Sequence, residues 1–307
     1  MIATALIGFF LLILAAVSSS LSMNFQKLAQ NQTKYYDPRS CKHKRKRELV
    51  STVCLRPLFL VALILSATAS VLDFVALAFL PTSVVGVFST LAIVINLFVT
   101  RIVLFESPEK SEIIPILFIF LGCTIALVSS ASGETSDLTP PELLGRLKSS
   151  VFIVFNWVAF ISISVVLDHC TSLPKWAHQS GFPVIAGGLG SQLPVFGKYI
   201  AFAVTEYIEK GRLTVRPDNL IAAICLCVAS IVVHIIWLNK GLKILKAYYC
   251  ILIYQSIWCL FTILSGIVVY DNNKFLSAEK WVFFVVGVST SIFGVVTLAR
   301  THADTNR

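Results

Sequence analysis

Nine apolar stretches, each long enough to cross a bilayer, fill almost all of this 307-residue chain. They run over 2–25, 57–79, 82–104, 113–131, 149–168, 182–205, 219–239, 247–270 and 281–299. A helix needs ~20 predominantly apolar residues to span the hydrocarbon core. The chain therefore reads as all-α and polytopic, a single membrane domain over 1–307 with about nine transmembrane helices. No soluble domain of useful size is left. Charged residues are only 13% of the chain, against roughly 25% in ordinary soluble domains. The first stretch lacks the basic start of a signal peptide and exceeds the usual ~7–15-residue signal core, so it counts as a true span. Leu80 and Pro81 alone separate the second and third spans. A proline there marks a tight turn between two helices.

The net charge of +9 is unevenly placed. The loop 27–56 carries nine Lys and Arg against Asp37 and Glu48, with a dense run from Lys42 to Arg47. A short basic loop stays in the cytosol. That puts the N-terminus outside or in an organelle lumen, and nine spans bring the C-terminus, with Arg300 and Arg307, to the cytosol. Lys240, Lys243 and Lys246 fall inside, and the loop 132–148, with Glu134, Asp137 and Glu142, falls outside. The basic run reads as a solvated loop touching anionic lipid rather than a nuclear signal, and no nucleic-acid partner is expected. The expected location is a plasma membrane or an endomembrane.

Two spans share a pattern. Ser20 precedes Lys27 by seven residues in the segment Ser18-Ser19-Ser20-Leu21-Ser22-Met23-Asn24-Phe25-Gln26-Lys27. Ser191 precedes Lys198 by seven in the glycine-rich sixth span, after Gly187, Gly188 and Gly190. Small and hydroxylated residues in a membrane helix let another helix or a ligand come close. The two spans are antiparallel by the charge argument, as an inverted repeat of a secondary transporter requires. The expected organisation is four + one + four: a first repeat over 1–131, a connector helix at 149–168 and a second repeat over 182–299. A further echo lies in Gly122 and Gly287, each sixteen residues after an acid, Glu106 and Asp271.

Three segments in order then carry a resemblance: Ala78-Phe79-Leu80-Pro81 running to Glu106, Leu121-Gly122-Cys123-Thr124, and Leu238-Asn239-Lys240-Gly241-Leu242 followed by Ile253-Tyr254. The chain resembles the NIPA-type magnesium transporters, within the drug/metabolite transporter superfamily. The resemblance implies a carrier moving magnesium or another small solute through a polar cavity between the repeats, with no enzymatic activity and no cofactor. Where that family has a glutamate and, three residues on, an asparagine in the second span, this chain has Ser70 and Asp73.

Asp73 is the acid that lies well inside a span, and a carboxylate there costs roughly 3 kcal/mol, so it normally faces a cavity or a partner. Magnesium takes carboxylate oxygens and keeps several waters, which makes Asp73 the candidate metal ligand or coupling-proton carrier. The bland alternative is a pair with a lysine or with His234. Lys27, at the cytosolic helix end, reads as snorkelling. Lys198 lies deeper and can face an anionic metabolite instead. His234 is a lone membrane histidine, either a proton relay or a hydrogen-bonded core residue. Asn239 and Tyr254 belong to a polar group around the turn between the seventh and eighth spans. The candidate substrate-binding set is thus Ser20, Asn24, Asp73, Ser191, Lys198, His234, Asn239 and Tyr254, with Asp73 the metal candidate.

Other classes fare worse. An intramembrane protease would need Ser191 and His234 as a dyad, but Leu189 stands where rhomboid-like enzymes carry glycine. A carrier of small organic anions and a non-transporting scaffold are the remaining alternatives. The eight cysteines do not form a disulfide framework or zinc-finger spacing. The sequon Asn31-Gln32-Thr33 falls on the cytosolic side, where it stays unused.

Overall fold

The computed structural model describes residues 2–35, 57–79, 82–130, 151–169, 173–211, 216–269 and 278–305. The basic run at 42–47, Pro81, the loop 132–148 and the side chain of Lys198 lie outside the described residues. Among the described residues every regular element is helical. We label them α1 (Ile2–Tyr35), α2 (Pro57–Phe79), α3 (Thr82–Leu104), α4 (Ile113–Ser130, entered through a 3-10 turn at Lys110–Glu112), α5 (Val151–His169), α6 (Lys175–Gly190), α7 (Leu193–Lys210), α8 (Pro217–Ile244), α9 (Ala247–Val269) and α10 (Ala278–Thr305). Five described segments are long and apolar enough to cross a membrane: Leu6–Asn31, Lys110–Ser129, Pro217–Ile244, Ala247–Val268 and Ala278–Ala303. Shorter apolar segments occur at Pro57–Asp73, Leu91–Leu104 and Ile153–Leu167.

The stretch that reads as one span at 182–205 is two helices. α6 ends at Gly190, Ser191 and Gln192 form a turn, and α7 begins at Leu193. Pro194 is the physical reason: its nitrogen has no proton to give the carbonyl of Gly190, and its ring crowds that carbonyl.

The chain divides into two compact units, Met1–Glu109 with Asn239–Leu252, and Lys110–Leu238 with Ile253–Arg307. In the first, α1 packs against both α2 and α3. Ala62, Ala69 and Ala76 are buried at seven-residue spacing on α2, small enough to admit a close neighbour. Ser22 Oγ donates to Ala62 O at 2.6 Å. The opposite face of α1, with Leu6, Ile7 and Phe10, is exposed and apolar, as a lipid-facing surface requires.

In the second unit, α4 crosses α10 at glycines. A Cβ on Gly122 would stand 2.6 Å from Gly287 O, one on Gly287 2.8 Å from Gly122 O, and one on Gly294 2.8 Å from Ile119 N. The two backbones touch, which is the small-residue packing that replaces the hydrophobic effect in lipid. Cys123 Sγ and Ser291 Oγ hydrogen-bond across the same crossing at 3.3 Å. Ile153, Val195, Phe196, Tyr199, Ala203 and Ala223 form a second core among α5, α7 and α8.

Candidate functional site

The polar candidates gather in two places, one in each unit. On α1, Ser20, Asn24 and Lys27 share one face through their i, i+4, i+7 spacing, and all three are buried. Asn24 Nδ2 donates to Ser20 O at 2.8 Å, while Asn24 Oδ1 and Ser20 Oγ have no partner among the described residues. On α3, Asn96 and Thr100 repeat the i, i+4 spacing; both are buried, and Asn96 Oδ1 and Thr100 Oγ1 are likewise without partners among the described residues. This pair is absent from the sequence-derived candidates, although two polar residues one turn apart in an apolar span are the signal that points to it.

Lys27 does not snorkel. Its side chain is 5% exposed, and Nζ donates to the carbonyls of Leu242 and Leu245. These lie at the end of α8, where the last helical carbonyls have no intrahelical donor and a cation is favoured. The next helix is met by the opposite charge: the backbone N–H of Ala247, at the start of α9, donates to the Glu106 carboxylate. Lys246 and Glu109 add an ion pair at 3.4 Å. Gln30 Nε2 donates to Asn239 Oδ1 in the same unit. The turn between α8 and α9 is therefore clamped at both helix ends by residues 140 or more positions away. Lys27→Met should lower the stability of the detergent-solubilised protein by roughly 2–4 kcal/mol, because two buried carbonyls lose a charged donor. A melting curve identical to wild type would show that the clamp is dispensable.

The second place is the α6–α7 break. Ser191 and Gln192 are fully buried there. The hydroxyl of Thr262 donates to Ser191 O at 3.3 Å, so α9 holds the break from one side. Gly190 lies against His234 of α8 and Trp258 of α9: a Cβ on it would meet Trp258 Cδ1 at 3.3 Å and His234 Cβ at 3.5 Å. Gly187 and Gly188 have less room still: a Cβ on Gly187 would stand 2.6 Å from Tyr254 O, and one on Gly188 closer than that to the Phe160 ring. The His234 and Tyr254 rings stack with centroids 6.0 Å apart. Ser191, His234 and Tyr254 are thus brought together. Ser191 Oγ donates to Gly188 O at 2.6 Å, its proton spent on its own helix.

Asp73 lies on α2, half-buried, with no hydrogen bond or ion pair among the described residues. No three His, Cys, Asp or Glu side chains converge as a metal cage among the described residues. Lys198 sits on α7. Glu112 and His302, which no local pattern singles out, hydrogen-bond at 2.7 Å where the 3-10 turn meets the end of α10.

The sequence profile described as "Magnesium transporter NIPA" matches residues 3–304. The probable magnesium transporter NIPA7 of Arabidopsis thaliana is 21% identical over 257 residues, which cover 82% of this chain and 77% of the relative. NIPA8 of the same plant is 19% identical over 242 residues, 74% of this chain and 54% of its own. The mouse magnesium transporter NIPA4 is 22% identical over 244 residues, 79% of this chain and 59% of its own. The chain thus spans little more than half the length of two of these relatives. No solved structure matches it significantly. With nearly the whole chain matched and helices long enough to cross a bilayer, the protein is an integral membrane protein of a transporter family rather than an enzyme family, and it belongs to the NIPA magnesium transporters.

Proposed function

We propose that the protein carries a divalent cation, chiefly magnesium, across a membrane. The observation that carries this reading is the broken helix with buried polar residues in an otherwise apolar span. Transporters use such interruptions to present backbone and side-chain oxygens to ions near the bilayer midplane. The names of the relatives support magnesium as the ion. In the first unit Asp73 supplies the negative charge, with Ser20, Asn24 and Asn239 as further solute contacts; in the second unit the solute contacts are Ser191, Lys198, His234 and Tyr254. Lys27 is engaged by helix-end carbonyls, which argues against the organic-anion reading at that position. Uptake into vesicles holding a magnesium-sensitive dye, with organic anions as competitors, tests the proposal. Competition by the anions without magnesium uptake would defeat it.

The proposed organisation is an inverted repeat over 1–131 and 182–299, joined by the connector at 149–168, in a plasma membrane or endomembrane with the C-terminus cytosolic. Its support is the antiparallel order implied by loop charge. Single cysteines placed at 42–47 and at 132–148 should label from opposite faces of sealed vesicles. Labelling of both from one face would remove the basis for the inversion.

A further inference from the structure

At the α6–α7 break, Gln192 has only one way to point. Its Nε2 donates to Ser265 Oγ at 3.1 Å and to Ser191 Oγ at 3.3 Å. Both hydroxyls have already used their single proton: Ser191 Oγ on Gly188 O at 2.6 Å, and Ser265 Oγ on Phe261 O at 2.7 Å. A hydroxyl whose proton is engaged can only accept, and of the two ends of a glutamine amide only the NH2 donates. The amide therefore cannot flip, and its carbonyl oxygen is turned away from both serines. Gln192 is fully buried, and Oε1 has no partner among the described residues. Two positions earlier in the chain, the carbonyl of Gly190 has lost its helical donor to Pro194. The indole N–H of Trp258, whose ring lies against Gly190, is also buried without a partner among the described residues.

We propose that this break is a binding site for a hydrated divalent cation, with Gln192 accepting hydrogen bonds from the cation's water shell. The inference rests on the transport reading above and narrows it to one contact. The groups presented are uncharged, and no carboxylate cluster converges on a metal among the described residues. Such a set cannot replace the water of a strongly hydrated ion. Magnesium gives up water reluctantly and keeps several aqua ligands when bound. Those waters offer protons to Gln192 Oε1 and the Gly190 carbonyl, and a further water oxygen accepts from the Trp258 indole. One set of waters thus satisfies acceptors and donor together.

The test uses the purified full chain, in detergent and in proteoliposomes, with magnesium and with cobalt(III) hexaammine, whose six ligands do not exchange. In the wild type the hexaammine should compete with magnesium uptake, and magnesium should raise the melting temperature. Gln192→Leu should raise half-saturating magnesium ~10-fold, the loss of one hydrogen bond to a charged assembly, and at the wild-type half-saturating concentration should sharply reduce both the competition and the magnesium-dependent melting shift. Ser265→Ala removes one of the hydroxyls that hold the amide and should give a smaller rise in the same direction. Wild-type saturation and melting shift in Gln192→Leu would overturn the proposal. So would a hexaammine without effect on a wild type that takes up magnesium. Should Gln192→Leu fail to fold, unchanged saturation in Ser265→Ala overturns it instead. A wild type that moves no magnesium yet shows a metal-dependent shift sharply reduced in Gln192→Leu would sink the transport reading and leave the site standing. A wild type showing neither uptake nor shift would sink both.

Discussion

Replacing Asp73 by asparagine is expected to cut magnesium uptake ~10- to 100-fold, the worth of one hydrogen bond to a charged group, while leaving the fold intact. The side chain is half-buried on α2, and no cation or hydrogen-bond donor pairs with it among the described residues. A carboxylate in a membrane helix is costly, and asparagine keeps its shape while removing the charge. The melting temperature in detergent should therefore hold or rise even as transport falls. Asp73→Glu should retain part of the activity, since the charge remains at a longer reach. Lys198→Gln is the contrasting variant: a carrier of organic anions would lose uptake there and tolerate Asp73→Asn. One vesicle assay of both variants separates the two. Full magnesium uptake by a folded Asp73→Asn protein would remove Asp73 from the site.

Gly287→Leu is expected to be the most damaging single change to the fold. Even a methyl group at that position would stand 2.8 Å from Gly122 O, and it would also press on Ala126 N. Both neighbours are backbone, which cannot swing aside as a side chain can. The helices must separate, and the contacts of the α4–α10 crossing are lost with them. Overpacking of this kind costs roughly 3 kcal/mol or more. Gly122→Leu should do the same from the other side. Gly197 provides the control, because a Cβ there meets nothing within 4 Å. Gly197→Ala should be neutral or stabilising by roughly 0.5–1 kcal/mol, since alanine is the better helix former. Thermal unfolding followed by size-exclusion chromatography in detergent reads all three. Equal melting of Gly287→Leu and Gly197→Ala would refute the close-packed crossing.

Several of the buried polar residues are legible in the sequence itself. Ser20, Asn24 and Ser191 stand out as polar residues in apolar spans, and each is fully buried. His234 and Tyr254, separated by twenty residues, are stacked as partners. Gln192 has no such signal although it adjoins Ser191, because its importance lies in two serine protons already committed elsewhere. Lys27 departs from its sequence reading for a similar reason. A lysine at a helix end normally reaches for the interface, but here the end of α8, more than two hundred residues on, offers it carbonyls. Gly122 and Gly287 each follow an acid by sixteen residues in the sequence. That spacing carries no sign of their meeting in one crossing.

The sequence by itself determined that the protein is helical, that it lives in a membrane and that it belongs to a transporter family. Hydropathy explains why: the cost of burying a segment in lipid is summed over some ~20 consecutive residues, so it is written locally. Only the tertiary structure decided which polar groups are satisfied and which are left without a partner among the described residues. It split the sixth span, spent Lys27 and Glu106 on helix ends, and turned the Gln192 oxygen into an open acceptor. Hydrogen bonds are short and directional, so their outcome depends on atoms within ~3 Å, and those atoms arrive from helices far apart in the chain.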